Sequence, residues 1–202
     1  MKKFHLALIT VLVFITNAKA DSPLTTSCFY KAYSDVSIIQ EASKSKGKLT
    51  IRLMDYLSDS SKPIDIKVAI INQIGWDIKG KNNSKLLLKY IFKKRSYKTI
   101  QEFKNGRADD LICYAYTKGM DNYFNVEEAY NYSKLAVIKD PNSYTVNIIS
   151  LLLKSQSQEG CEIYNTMNKI RKRNNLKMDF RLDAIRIIFE YTDIYNKDCN
   201  LN

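Results

Sequence analysis

The sequence predicts an all-α protein in which antiparallel helical hairpins stack as a short α-solenoid and are crosslinked by disulfides. Capped segments of about 8–20 residues recur along the chain, and their apolar residues have helical spacing. Short polar turns separate these segments, which favours antiparallel neighbours. Four cysteines follow an apolar amino-terminal stretch. An even number of cysteines in an exported chain favours two disulfides.

The amino-terminal residues 1–20 have the pattern of a secretory signal peptide. Lys2 and Lys3 precede an apolar run from Leu6 to Ile15, and Ala18-Lys19-Ala20 forms an A-x-A cleavage site. The run is too short to span a bilayer as a permanent helix. We therefore expect cleavage near Ala20 and a periplasmic or secreted protein; a retained amphipathic anchor is the alternative.

Removal of the signal peptide changes the charge and the available chemistry. Of 32 basic side chains, three lysines lie in the signal peptide, which leaves 29 against 21 acidic ones and a net charge of +8. The sole histidine, His5, is lost with it. Without histidine, a Ser-His-Asp or Cys-His apparatus and a histidine-bearing zinc site are excluded. The sequence predicts no cofactor and no metal.

The cysteine positions favour one of three possible pairings. Their wide spacing, with no C-x-x-C pair, argues against a metal site. If the helices after Ala108 alternate in direction, Cys161 and Cys199 meet at the same end of the stack. Cys28 and Cys113 then remain for each other. Free buried thiols are the alternative.

Helices are predicted on both sides of a central unit. In the amino-terminal half they cover Leu24–Ala42, Thr50–Leu57, the stretch from Pro63 to Ile74, Ser84–Phe92 and Tyr97–Phe103. In the carboxy-terminal half Ser143 caps a helix to Lys154, and Glu162–Lys172 and Met178–Asn196 follow, the last with an apolar stripe of Leu182, Ile185, Phe189 and Thr192. The β-branched run from Ile64 to Ile78 leaves a strand open as an alternative there.

The central unit, residues 108–141, reads as two amphipathic helices. Gly119 is expected to end the first helix, and Asn125 is expected to cap the second. Asp140-Pro141 closes the second helix. The small residues Ala129 and Ala136 would let a neighbouring helix approach closely.

This unit resembles a tetratricopeptide repeat. Ala129, Ala136 and Pro141 fall at the family's relative spacing, and Tyr116 suits the aromatic position of the first helix. The long turn from Thr117 to Val126 makes the Sel-like variant the closer match, although Ser133 stands where the family has a large aromatic residue. The resemblance implies a scaffold that binds and has no chemistry of its own.

Residues 49–75 resemble, more weakly, a HEAT repeat: an apolar helix, a turn, then Pro-x-Asp before a helix that ends in an apolar-Gly step. We expect an amino-terminal helical lobe at 21–104 and a carboxy-terminal lobe at 105–202.

Candidate partner-binding residues are aromatic and basic. Trp76, Tyr116 and Tyr132 are candidate anchors, although packing within the fold is the more common role of such residues. The basic runs hold Lys93, Lys94 and Arg95, and Lys169 with Arg171–Arg173. They are either solvated helix ends or a surface for an anionic partner. Export argues against nucleic acid; an acidic protein or peptide is expected, and contact with a lipid surface is the alternative.

Three function classes follow. The first is an exported binding or adaptor protein that acts stoichiometrically through a helical-repeat groove and is not an enzyme. The second is its specialised form, an immunity protein that neutralises a toxin delivered to the periplasm. The third is a cell-wall hydrolase that uses the carboxylate pairs Asp109/Asp110 or Glu127/Glu128. Both pairs also suit helix amino-termini, where acids are favourable.

Overall fold

The computed structural model describes residues 22–200, which form eleven α-helices and two short 3-10 helices and contain no β-strand. The all-α prediction is confirmed. The signal peptide predicted at residues 1–20 lies outside the described residues. The α-helices are α1 (Pro23–Thr26), α2 (Ser37–Lys44), α3 (Ile51–Ser58), α4 (Ile64–Ile74), α5 (Asn83–Arg95), α6 (Ile100–Lys104), α7 (Ala108–Asp121), α8 (Glu127–Lys139), α9 (Tyr144–Ser155), α10 (Cys161–Arg171) and α11 (Leu182–Thr192); the 3-10 helices are Phe29–Tyr33 and Asp193–Asn200.

Helix α7 is the centre of the fold. Its residues from Asp110 to Thr117 are all buried, so that every face of the helix is covered. It packs against α1, α3, α4, α5, α8 and α9. The buried side chains form one continuous cluster from Leu24 to Phe189, on both sides of residue 104.

The stacking predicted for a short α-solenoid is not confirmed. In a solenoid each repeat contacts its neighbours along the chain. Here α1 packs against α9 and α11, and the 3-10 helix Phe29–Tyr33 also packs against α11. The tetratricopeptide, Sel-like and HEAT resemblances and the boundary near residue 104 stay predictions. Among residues 22–200, no helix is long and apolar enough to cross a membrane.

The single helix predicted from Leu24 to Ala42 is wrong. The segment is divided into α1, a 3-10 helix and α2, and the break is held by Asn72 of α4. The Asn72 side-chain amide donates to the Ser27 carbonyl at 3.1 Å, and its oxygen accepts from the Tyr30 N–H at 2.9 Å. Asn72 thus satisfies backbone groups that a continuous helix would pair internally.

The helix end predicted at Gly119 is also wrong, because α7 continues to Asp121. Gly119 lies inside the helix where α9 comes close, and a side-chain carbon at Gly119 would collide with the Leu153 side chain. Glycine is therefore needed for close packing and not for a turn. Helix α8 begins at Glu127, with Val126 and not Asn125 at the N-cap, and ends before Asp140 as predicted.

Three further predictions have mixed outcomes. The Ser143 cap is confirmed, since its hydroxyl accepts from the Val146 N–H at 3.1 Å. The stretch from Ile64 to Ile74 is helical, so the strand alternative is wrong. The helix predicted over Met178–Asn196 spans only α11, because the backbone of Lys177 pairs with Asn142 and Tyr144. Its buried stripe is Ala184, Ile188, Phe189 and Thr192, whereas Leu182 is exposed.

The helix predicted over Tyr97–Phe103 is shorter, since α6 covers Ile100–Lys104. The Thr99 hydroxyl caps it by accepting from the Glu102 N–H at 3.2 Å.

One of the two predicted disulfides is present. Cys161 at the start of α10 is bonded to Cys199 in the last 3-10 helix. The predicted Cys28–Cys113 bond is wrong, since both residues are free thiols in the described part of the chain. Phe29 stacks on Tyr116 at 6.2 Å, which docks the Cys28 segment one turn of α7 beyond Cys113. The Cys113 side chain is fully enclosed in the core.

Candidate binding groove along helix α8

The two faces of α8 differ in side-chain size. Ala129, Ser133 and Ala136 are small and buried, and the Ser133 hydroxyl lies 2.9 Å from the Ser150 hydroxyl of α9. Small side chains allow α8 and α9 to pack closely on this side. The opposite side of α8 carries larger residues, among them Lys134 and Ile138, which lie between two adjoining cavities.

The first cavity lies between α8, α9 and α10 and has a volume of about 440 Å³. Val137, Leu151 and Ile170 provide its apolar surface. The basic residues of its lining are Lys134, Lys169 and Arg173. An apolar surface bordered by charged groups is the arrangement of a recognition pocket.

The second cavity lies on the other side of α8 and has a volume of about 630 Å³. Lys104 at the end of α6 borders it, and Tyr132 and Leu135 of α8 form part of its wall. Lys134 and Ile138 line both cavities. We name the two cavities together the α8 groove, and Ile138 is 71% exposed at their junction.

The charge of the α8 groove is positive. Among the described residues that line it, the cations are Lys104, Lys134, Lys169 and Arg173. Glu128 is the acidic lining residue, and it forms an ion pair with Lys118 at 2.9 Å. An acidic ligand would therefore meet four cations and one carboxylate that already has a partner.

Three of the cations are held by the fold. Arg173 donates to the Asn147 side-chain oxygen at 2.5 Å and to the Pro141 carbonyl at 3.0 Å. The Lys134 Nζ lies 5.0 Å from the centre of the Tyr130 ring, and the Lys104 Nζ lies 5.7 Å from that of Tyr132. Such cation–π contacts limit the positions that the ammonium groups occupy.

The predicted aromatic anchors occupy different environments. Tyr116 is fully buried, and its hydroxyl accepts a hydrogen bond from Asn72 at 2.8 Å, so its role as a partner-binding anchor is withdrawn. Tyr132 is mostly buried but lines the second cavity. Trp76 is half-buried, with its ring edge-on to Tyr123 at 4.9 Å, outside the α8 groove.

The predicted cations are also dispersed. Arg173 lies in the α8 groove, whereas Lys93, Lys94 and Arg95 at the end of α5 do not line it. Lys93 is exposed, and Lys94 lies 3.3 Å from Asp55. Arg95 forms an ion pair with the buried Asp110 at 2.8 Å and donates to the Ser58 carbonyl, so its charge is used within the fold.

The two carboxylate pairs that a hydrolase would use differ in their surroundings, since one is held in ion pairs and the other is exposed. Asp109 accepts from Lys67 at 2.7 Å and from Arg107 at 2.9 Å, and Asp110 pairs with Arg95. Glu127 and Glu128 are exposed in the first turn of α8. The first pair thus joins α7 to α4 and α5 through ion pairs.

Sequence reasoning missed Lys104, Lys134 and Ile138 as groove residues. A signal was present in Ile138, which lies about 200° around the helix from Ala136 and therefore opposite the small residues of the inner face. The position of Lys104 had no such signal, because it reaches the groove from another helix. Lys169 belongs to a predicted basic run, and the packing of α10 on α9 brings it to the cavity.

Comparison of the chain with protein-family models, with curated proteins and with solved structures gives no match. The geometry of the α8 groove and its charge are therefore the grounds on which a function is assigned.

Proposed function

We propose that this protein is a stoichiometric binding protein that holds an acidic protein or peptide in the α8 groove. The observation that carries the proposal is the meeting of two apolar cavities at Lys134 and Ile138, with four cations around them. The two cavities lie on either side of α8 and share Lys134 and Ile138, so an extended or helical segment of a partner could contact both of them.

The apolar and basic residues have different roles in this proposal. Ile138, Val137 and Leu135 would supply the affinity by burying apolar side chains of the partner. Lys104, Lys134, Lys169 and Arg173 would attract acidic residues of the partner and set its register. Rim charges of this kind act mainly on the rate of association, whereas the apolar contacts act on the rate of dissociation.

The proposal includes export to the periplasm or outside the cell, as the sequence of residues 1–20 predicts. The disulfide between Cys161 and Cys199 supports an oxidising compartment. An immunity protein is the specialised form of the same proposal, in which the bound partner is a toxin.

Selection from a displayed library of random peptides tests the proposal. The purified protein with its disulfide intact is the bait, and a Lys134→Glu/Ile138→Ser double variant serves for counter-selection. Both positions are exposed, so the variant is expected to fold, which circular dichroism and the thermal midpoint check.

The expected result is enrichment of peptides that combine acidic residues with aliphatic or aromatic ones and that lose binding to the double variant. Enrichment of basic peptides, equal binding to both proteins, or no enrichment would contradict the proposal.

A further inference from the structure

A third cavity, separate from the α8 groove, lies where the loop after α4 meets the end of α7. Its volume is about 360 Å³, within the range of ligand pockets, roughly 300–1,000 Å³. Asp77, Lys79 and Asn82 of the loop line it, together with Asp121 and Asn122. Its lining is thus rich in hydrogen-bonding groups.

One of these groups is buried with an unused acceptor. Asp121 is 5% exposed, and its Oδ2 accepts from the Ser84 N–H at 2.6 Å at the start of α5. Its Oδ1 is buried and has no hydrogen-bond partner among the described residues. Because Oδ1 has almost no accessible surface, a ligand hydroxyl group reaches it only if side chains around it shift, and the hydrogen bond then offsets the free energy that the unpaired oxygen costs.

An aromatic surface borders the same cavity. Phe124 lines it and is 75% exposed, the most exposed of the large apolar side chains in the described part of the chain. Its ring lies 4.2 Å from that of Tyr123, with 32° between the planes. The ring of Tyr123 in turn packs edge-to-face with that of Trp76, with 4.9 Å between the ring centres. Phe124 therefore stands on a packed aromatic support and presents a free face to solvent.

The backbone around the cavity is fixed before any ligand binds. The Lys81 N–H donates to the Asp121 carbonyl at 3.0 Å, which ties the loop to the end of α7. The Lys81 ammonium donates to the carbonyls of Ile74 and Gly75 at 2.8 and 2.9 Å, where it caps α4. Gly80, at φ +75°, lets the loop pass next to the Asp121 carbonyl. A preformed cavity reduces the entropy that binding would cost.

We propose that this cavity binds a saccharide, with one sugar ring against Phe124 and its hydroxyl groups directed to Asp121, Asn82 and Asn122. A sugar ring has an apolar face of C–H groups, which packs on an aromatic ring, and a rim of hydroxyl groups, which donate and accept hydrogen bonds. The cavity offers the complementary set: an exposed aromatic face, a carboxylate acceptor, and amide and ammonium donors.

Titration with soluble tetrasaccharides tests this proposal on the full chain. Cellotetraose, chitotetraose and maltotetraose are added separately, and binding is followed by calorimetry and by the fluorescence of Trp76, the only tryptophan. Phe124→Ala removes the stacking surface, and Asp121→Asn replaces the acceptor with a donor. Ile138→Ala, in the α8 groove, is the matched control.

The expected result is saturable binding of at least one tetrasaccharide, weakened about tenfold by Phe124→Ala and unchanged by Ile138→Ala. Asp121→Asn is also expected to weaken binding; a parallel thermal scan measures any loss of the Ser84 contact. No saturable binding at millimolar concentrations, or binding that both cavity variants leave intact, would overturn the proposal. Saturable binding of Ca²⁺ in place of any saccharide, abolished by Asp121→Asn, would also overturn it.

Discussion

The Lys67 ammonium of α4 lies 2.7 Å from the Asp109 carboxylate at the start of α7, and the lysine side chain is fully buried. Arg107 reaches the other oxygen of Asp109 at 2.9 Å. A buried lysine without a counter-charge lowers the stability of a fold, so the buried Lys67 depends on Asp109 for its counter-charge. This ion pair links the amino-terminal helices to the central helix of the fold.

Replacement of Asp109 by Asn is expected to lower the free energy of unfolding by about 3–5 kcal/mol, because the Lys67 charge stays buried without its partner. Chemical denaturation monitored by circular dichroism measures the loss. The double variant Lys67→Met/Asp109→Asn is the control, and it is expected to regain most of the lost stability. A loss below about 1 kcal/mol for Asp109→Asn, comparable to a surface ion pair, would contradict this account.

The same pair predicts a pH dependence. Burial by itself would raise the pKa of Asp109, but Lys67 and Arg107 outweigh it and hold this pKa below its usual value. The carboxylate therefore stabilises the fold fully above the unfolded pKa of about 3.9, and this contribution is lost as the pH falls through the lower folded value.

The difference in unfolding free energy between the native protein and the Lys67→Met/Asp109→Asn variant, measured from pH 7 to pH 2, checks this dependence. We expect it to be constant from pH 7 to about pH 5 and then to shift against the native protein. If this difference in unfolding free energy shifted in favour of the native protein as the pH falls, the predicted direction of the pH dependence would be wrong.

Helical spacing was sufficient to predict the helices around α7, α8 and α9, because their apolar residues recur at three and four positions and the Ser143 cap is local. The break at Ser27 could not be predicted in this way, since it depends on the Asn72 side chain 45 residues away. The helix end predicted at Gly119 is wrong because glycine both ends helices and permits close packing. The sequence around Gly119 is compatible with either role, and the position of Leu153 shows that close packing is the role here. The α8 groove had partial signals in Arg173 and Tyr132, but Lys104 joins it only through the packing of another helix.

Gly119→Ala is expected to destabilise the protein by about 1–3 kcal/mol. In an open helix the same change would stabilise by about 1 kcal/mol, so the sign reports the contact with Leu153. Thermal unfolding measures the effect. In a Leu153→Ala background the collision is relieved, and the cost of Gly119→Ala should fall. Stabilisation by Gly119→Ala alone would show that α7 and α9 are not in close contact there.

The disulfide between Cys161 and Cys199 is expected to stabilise the native protein. Peptide mapping without reduction should recover Cys161 linked to Cys199, and Cys161→Ala/Cys199→Ala should cost about 3–4 kcal/mol of stability.

Cys28 is partly exposed, whereas burial raises the pKa of the Cys113 thiol well above its usual value. In the native protein a thiol reagent should therefore label Cys28 much faster than Cys113. Recovery of a Cys28–Cys113 peptide would refute the assignment of both as free thiols.

The measurement that tests the central claim most directly is the dissociation constant of a selected acidic peptide for the native protein and for Ile138→Ser. Ile138 lies at the junction of both cavities, so the variant should bind at least about tenfold more weakly. Leu86→Ser, which changes an exposed leucine of α5 outside the groove, is the matched control and should bind like the native protein. Equal affinities for the native protein and Ile138→Ser, or an equal loss in Leu86→Ser, would contradict binding in the α8 groove.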